Sequence, residues 1–341
     1  MSHGRLIAIL LSSVLVIAST ADRAQAATRA KRISRTHGVA VTPVRARRVK
    51  VTIRPTNHHV QPDFDREGNP LLRSSAFMVQ DLNSGQVLLE KNSDSVLPIA
   101  SISKLMTSMV VLDAHQDLSE VIEITDDDVD RLKGTSSHLA VGTKLAREDV
   151  MRLALMASEN RAASAMARNY PGGKPAFIEA MNQKAQALGL KETHFLDSSG
   201  LNKNNVSSAR DLAVMVATAS RYPLIRQFTT TTSYTVALNG RPREFHNTNA
   251  LLKSPDWQIG VSKTGYINES GKCLVMQAWL ANKPVAIVLL DSWGRFTRLA
   301  DANRIRKWVE TALGRQPSVA GLSSAATMNP VTSSMTEPVI N

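Results

Sequence analysis

Pro98-Ile99-Ala100-Ser101-Ile102-Ser103-Lys104-Leu105-Met106-Thr107 decides how this 341-residue chain is read. Pro98 precedes an apolar-periodic run that predicts a helix from about Ser101 to His115. The run opens on the pattern S-x-x-K, Ser101 to Lys104. On a helix, positions i and i+3 share a face, so the Lys104 amine reaches the Ser101 hydroxyl. A hydroxyl becomes a useful nucleophile only when a neighbouring base takes its proton. An amine is a base only when neutral, and both burial and a second nearby cation favour that form.

Downstream, Ser158-Glu159-Asn160 reads S-x-N and Lys263-Thr264-Gly265 reads K-T-G, each pattern occurring once. S-x-N falls between helical stretches and K-T-G ends a strand-like run. In that order the three strings describe a serine acylated without histidine, and so acyl transfer on a peptide-like or β-lactam carbonyl. Each residue has an expected task. Ser158 relays a proton between Lys104 and the leaving amine. Asn160 holds Lys104 and meets the substrate backbone. Lys263 and Thr264 take a substrate carboxylate, and Lys263 is the second cation beside Lys104. Gly265 leaves room for substrate against the strand. The backbone N–H groups of Ser101 and Tyr266 form the oxyanion hole.

Strand signals flank this helical middle. Residues 76–82 and 86–90 read as a hairpin around Asn83-Ser84-Gly85, and strands recur near 231–236, 259–266, 273–281 and 285–290. Helices are expected over 147–156, 160–169, 175–188, 208–220 and 296–313. Strands at both ends with helices between them imply an α/β protein of α+β type, its antiparallel sheet built from N- and C-terminal strands and flanked by helices, with a mostly helical insertion.

The chain ends read differently. His3, Arg5, the apolar run Leu6 to Ala18 and Ala24-Gln25-Ala26 form an export signal over residues 1–26, which places the protein in the periplasm. Nine Arg and Lys with no acid lie between residues 27 and 54, against a net charge of +12 for the whole chain. The basicity therefore belongs to an arm, read as part of a disordered linker over 27–73. The catalytic domain is expected over 74–314 and a Ser/Ala/Thr/Pro-rich disordered tail over 315–341. No nucleic-acid recognition motif accompanies the basic arm, and no stable membrane anchor is expected. The single cysteine, Cys273, excludes an internal disulfide and reads as a small buried hydrophobe. His58-His59, His115, His138, His194 and His246 lack ligand spacing, so neither metal nor cofactor is expected. Glu159 and Asp211 read as solvated or capping acids, not as a catalytic pair.

The three motifs, with Ser199-Gly200-Leu201 and Asn205-Val206-Ser207-Ser208-Ala209-Arg210-Asp211-Leu212, resemble the low-molecular-weight penicillin-binding proteins. These are the D-alanyl-D-alanine peptidases of family S11, and the resemblance spans about residues 74–314. It is nearer to the endopeptidases of penicillin-binding protein 7 type, in Pro98 to Thr107, Leu155 to Ala163 and Tyr170-Pro171-Gly172-Gly173. It implies the fold shared by serine β-lactamases and D,D-peptidases. It also implies Ser101 as acyl-ester nucleophile, Lys104 as proton acceptor, Ser158 as relay and Lys263 as substrate-binding cation. Peptidoglycan is the implied substrate and β-lactams are the implied covalent inhibitors. Carboxypeptidases of the family usually carry a C-terminal β-rich domain and an amphipathic membrane helix. The short stretch after Leu313 has neither pattern, so cleavage of D-alanyl-meso-diaminopimelate cross-links is expected over removal of terminal D-alanine. The rival readings are a β-lactamase and a non-catalytic peptidoglycan-binding protein. The string E-x-x-L-N, which would serve deacylation in a class A β-lactamase, does not occur, so a long-lived penicilloyl-enzyme is expected. The intact motifs count against a non-catalytic binder.

Overall fold

A computed structural model describes residues 62–314. The signal, the arm up to residue 61 and the tail from 315 lie outside the described residues. In chain order the elements are β1 (Ser74–Asp81), β2 (Val87–Lys91), β3 (Leu97–Pro98), α1 (Ser103–Asp113), β4 (Val121–Glu123), β5 (Lys144–Ala146) and α2 (Arg147–Met156). Next come α3 (Asn160–Arg168), α4 (Gly173–Ala187), β6 (Val206–Ser207), α5 (Ala209–Ala219), α6 (Pro223–Thr230), β7 (Ser233–Leu238) and β8 (Arg241–His246). The chain closes with β9 (Gln258–Ile267), β10 (Gly271–Leu280), β11 (Lys283–Ser292) and α7 (Thr297–Gly314).

The main sheet has the order β2-β1-β11-β10-β9, every pair antiparallel. This is the expected joining of N- and C-terminal strands: Val79 faces Ile287, and Ile287 faces Met276. β10 and β11 carry unbroken buried stretches because both faces of the sheet are covered. On one face Met78, Val261, Val275 and Val288 join the core formed with α1, α2 and α5. On the other, Val79, Leu274, Ile287 and Leu289 pack with Ala302, Ile305 and Val309 of α7. β9 is an edge strand, and it carries Lys263, Thr264 and Gly265.

Residues 62–73, the last part of the expected linker, form a turn with a bridge between Phe64 and Pro70. Asp63 pairs with Arg304 at 2.7 Å, and Asp301 accepts from the Arg73 amide at 3.0 Å, so this turn is tied to α7. Six further elements, α6, β3, β4, β5, β6 and β8, had no expectation. The helix α6 is short and starts on Pro223 at its first turn, a position where the missing N–H costs nothing. The strand β8 is polar and almost wholly exposed, paired only with β7. β3 and β6 are a two-residue pairing. Cys273 is fully buried and desolvation pushes its thiol up to about 11, as expected of a packed, inert side chain. Among the described residues no helix is long and apolar enough to cross a membrane.

Candidate active site

The S-x-x-K segment enters α1 through a 3-10 turn, Ala100–Ile102, that holds Ser101 just ahead of the α-helix proper. Ala100 adopts a left-handed φ of 48°, a conformation that costs an L-residue free energy and survives only where neighbours enforce it. The enforcing contacts are visible. Asn205 O accepts from the Ile99 amide at 3.0 Å, and Ser103 Oγ donates to Ala100 O at 2.9 Å. Gly200 presses against the turn so closely that a Cβ there would lie 1.9 Å from Ala100 O. Gly265 of β9 does the same from another side: an added Cβ would meet Ile99 O at 2.8 Å and Ser101 N at 3.3 Å. Beyond the space expected for substrate, the side chain that Gly265 lacks makes room for the protein's own nucleophile turn.

Lys104 is fully buried in α1. Its Nζ lies 2.8 Å from Ser101 Oγ, 2.8 Å from Asn160 Oδ1 and 2.6 Å from Ser199 O. Burial brings its ammonium down from 10.5 to about 7, against the opposing pull of Asp197 and Glu159. Lys263 is buried as well and is held well below its ordinary value by desolvation, then by Lys104 and Arg298. The expected influence of the two lysines on each other thus registers at Lys263, whereas desolvation is what lowers Lys104.

Ser158 stands in the turn between α2 and α3 with a left-handed φ of 62°. Its Oγ accepts from Lys263 Nζ at 2.9 Å, across the cleft. Lys104 spends its three contacts on Ser101, Asn160 and Ser199, so in this state Ser158 is tied to Lys263 instead. Asn160 begins α3, and its amide donates to Thr135 Oγ1 at 3.0 Å while Thr135 donates to Asp130 at 2.7 Å. Thr264 Oγ1 donates to Thr248 Oγ1 at 2.6 Å.

Glu159 holds the N-cap position of α3, but its side chain is neither solvated nor capping. It is buried at 6% exposure, and its carboxylate accepts from Ser137 Oγ, from the His138 amide at 3.2 Å and from His138 Nδ1 at 3.0 Å. It fastens the 130–139 loop to the S-x-N wall. Asp211 is likewise buried and accepts from the Glu192 amide at 2.7 Å, while the capping of α5 is done by Ser208. Lys133 and Glu269 form an ion pair that joins the 130–139 loop to the β9–β10 turn at one end of the cleft.

Three contributors carry no motif. Ser199 offers only its carbonyl. Thr135 comes from an irregular loop. Arg298 lies in α7, and its Nη1 approaches Gly265 O at 3.3 Å while its Nε is buried without a partner. Arg298 could have been found only by knowing that α7 starts beside the end of β9. Among the described residues no group of three or more His, Cys, Asp or Glu side chains is placed to hold a metal ion.

The site is thus a serine and a fully buried lysine in contact, faced by a serine bound to a second buried lysine. Residues 64–294 match the model of the peptidase S11 family, described as D-alanyl-D-alanine carboxypeptidase. The chain belongs to this family. Among its S11 relatives, the D-alanyl-D-alanine endopeptidase of Pseudomonas aeruginosa is 47% identical over 251 residues, covering 72% of this chain and 81% of that protein. The D-alanyl-D-alanine endopeptidase of Escherichia coli K12 is 44% identical over 257 residues, covering 74% and 83%. The crystal structure of the Streptomyces K15 DD-transpeptidase matches with a TM-score of 0.67 at 28% identity, covering 71% of this chain and 99% of that one. This S11 protein is accordingly a serine hydrolase with the D,D-peptidase fold.

Proposed function

We propose that this protein is a serine D,D-endopeptidase that cleaves D-alanyl-meso-diaminopimelate cross-links in peptidoglycan through an acyl-enzyme on Ser101. The observation that carries the proposal is the 2.8 Å contact between Lys104 Nζ and Ser101 Oγ inside a site that brings the lysine down to about 7. When Lys104 is neutral, its two N–H bonds donate to Asn160 Oδ1 and Ser199 O, which leaves the lone pair directed at the Ser101 proton. Ser101 Oγ then attacks the D-alanyl carbonyl. The backbone N–H groups of Ser101 and Tyr266 take the oxyanion. Ser158, held by Lys263, gives its hydroxyl proton to the leaving amine and regains one from Lys104, which took it from Ser101. Lys104 is then neutral again, and the amine departs with its own strand. Water completes the cycle by hydrolysing the ester.

Substrate choice follows from charge. Lys263, Thr264 and Arg298 gather at one side of the cleft, and neither the buried Lys263 nor the half-buried Arg298 has a carboxylate partner, which favours an anion there. In the cross-link the D-centre of diaminopimelate carries a free carboxylate next to the scissile amide. β-Lactams present a carboxylate in the same relation and acylate Ser101 as lasting inhibitors. The 1–26 signal sends the enzyme to the periplasm, where this substrate lies.

The test compares wild type with Ser101→Ala on purified cross-linked muropeptides, read by mass spectrometry. Wild type is expected to split dimers and Ser101→Ala to leave them intact. Equal cleavage by both, or by neither, refutes the proposal. Loss of a terminal D-alanine from pentapeptides without dimer cleavage would identify a carboxypeptidase instead.

A further inference from the structure

Aromatic residues make up only 4% of the chain, and most of them are packed away. Among the described residues, three aromatic side chains are strongly exposed: Tyr266 at 56%, Trp293 at 79% and Phe296 at 63%. They belong to one end of the sheet. Tyr266 directly follows the K-T-G string on β9 and faces Lys272 on β10, and Lys272 in turn faces Ser292, the last residue of β11 before Trp293. Two strand spacings, about 10 Å, therefore separate Tyr266 from the start of the Trp293 loop. Phe296 closes that loop, two residues before Arg298, which reaches Gly265 O. Cations border the aromatic rings: Lys272 Nζ lies 4.4 Å from the Tyr266 ring centre, and the Arg295 guanidinium lies 5.2 Å from that of Phe296.

Soluble proteins seldom leave such side chains grouped in water without a ligand for them. On a strand, side chains alternate between faces, so Tyr266 shares its face with Thr264. Thr264 is the hydroxyl of the proposed carboxylate grip, and Arg298 reaches the carbonyl of Gly265 between Thr264 and Tyr266. A group leaving with that carboxylate extends over Tyr266, Trp293 and Phe296.

We infer that Tyr266, Trp293 and Phe296, bordered by Lys272 and Arg295, form a subsite for the leaving strand of the cross-link, the second stem peptide whose amine is released. This rests on the endopeptidase reading and deepens it. A carboxypeptidase releases free D-alanine, which ends at its carboxylate and has nothing to lay across the platform. A cross-link continues instead through the aliphatic arm of diaminopimelate into a peptide bearing further carboxylates. The aromatic faces cover the aliphatic arm, and Lys272 and Arg295 meet the charges.

The experiment uses the full chain and the double variant Trp293→Ala/Phe296→Ala, with a cross-linked muropeptide dimer and benzylpenicillin as probes. Penicillin acylates Ser101 but has no second strand, so its acylation rate reports an intact fold and site. Dimer kcat/KM is expected to fall about tenfold or more, mainly through KM, while acylation stays within about twofold. Trp293→Tyr should recover most of the loss. The charge reversal Lys272→Glu/Arg295→Glu should weaken dimer cleavage in the same selective way. Unchanged dimer cleavage by the double variant overturns the subsite and leaves the endopeptidase assignment standing. A wild type inert toward the dimer removes the assignment and the subsite together. If wild type sediments with phosphatidylglycerol vesicles and the double variant does not, while dimer cleavage is unaffected, the platform faces lipid and the inference fails.

Discussion

The burial of Lys104 makes a quantitative demand on how the enzyme responds to pH. A lysine at its ordinary 10.5 would be neutral in only about one molecule in 3,000 at pH 7. Brought to about 7, it is neutral in about half. The neutral form is the base, so Ser101 acylation should rise about tenfold per pH unit below the inflection and level off above pH 8. The assay is the second-order rate of labelling by a fluorescent penicillin from pH 5 to 10, with circular dichroism to confirm that the fold persists. Glu159 favours the charged form of Lys104. Glu159→Gln should therefore move the inflection to lower pH, because it removes a charge that opposes neutralisation. A rate still climbing tenfold per unit between pH 8 and 10 would refute the role given to burial. So would an inflection that moves upward in Glu159→Gln.

Two further outcomes follow from the same cleft. The folded pKa of Lys104 is depressed relative to the unfolded chain, so its burial opposes folding by about 5 kcal/mol below pH 7, and that cost fades between about 7 and 10.5. Lys104→Met removes this cost but strands Ser199 O and Asn160 Oδ1, at about 1–3 kcal/mol each; it should abolish acylation without lowering Tm at pH 6, and a Tm drop of several degrees would sink that balance. Gly200→Ala drives a methyl to within 1.9 Å of Ala100 O and should slow acylation about 100-fold. Gly189→Ala, also at positive φ but facing open space, should leave the rate unchanged, and equal losses in both variants would assign the effect to backbone strain alone.

Much of this architecture was legible because it rests on local pattern. The apolar runs of β1, β10 and β11 and the periodicity of α1 and α2 follow directly from burial on one or both faces. The pairing of N- and C-terminal strands followed from their placement around a helical middle. What escaped was set by distant contacts. β8 is too polar to show alternation, and α6 is a short helix whose closing threonines run into the β7 strand signal. Within the site, motif spacing brought Ser101, in the entry turn, together with Lys104 of α1 and pointed to Asn160. It did not indicate that Ser158 would bind Lys263, nor that Glu159 would be buried under His138. The roles of Ser199, Thr135 and Arg298 were invisible for a physical reason, although Ser199 itself stood in the Ser199-Gly200-Leu201 segment. They act through a carbonyl, an irregular loop and the first turns of a terminal helix, and their positions exist only once the chain is folded.

The edge position of β9 has a consequence for solubility. A ten-residue edge strand, mostly buried on both faces, exposes a row of unpaired amides and carbonyls, and such a row is a template for another protein's strand. Here the open side of β9 looks into a slot. The Ser158 wall stands across from it at hydrogen-bonding distance from Lys263, and the Lys133–Glu269 pair bridges one end. Walls this close to β9 obstruct the approach of a whole sheet's edge. The walls that carry the chemistry therefore also guard the strand against aggregation. Variants that loosen the 130–139 loop, Lys133→Ala among them, put colloidal stability at risk along with catalysis.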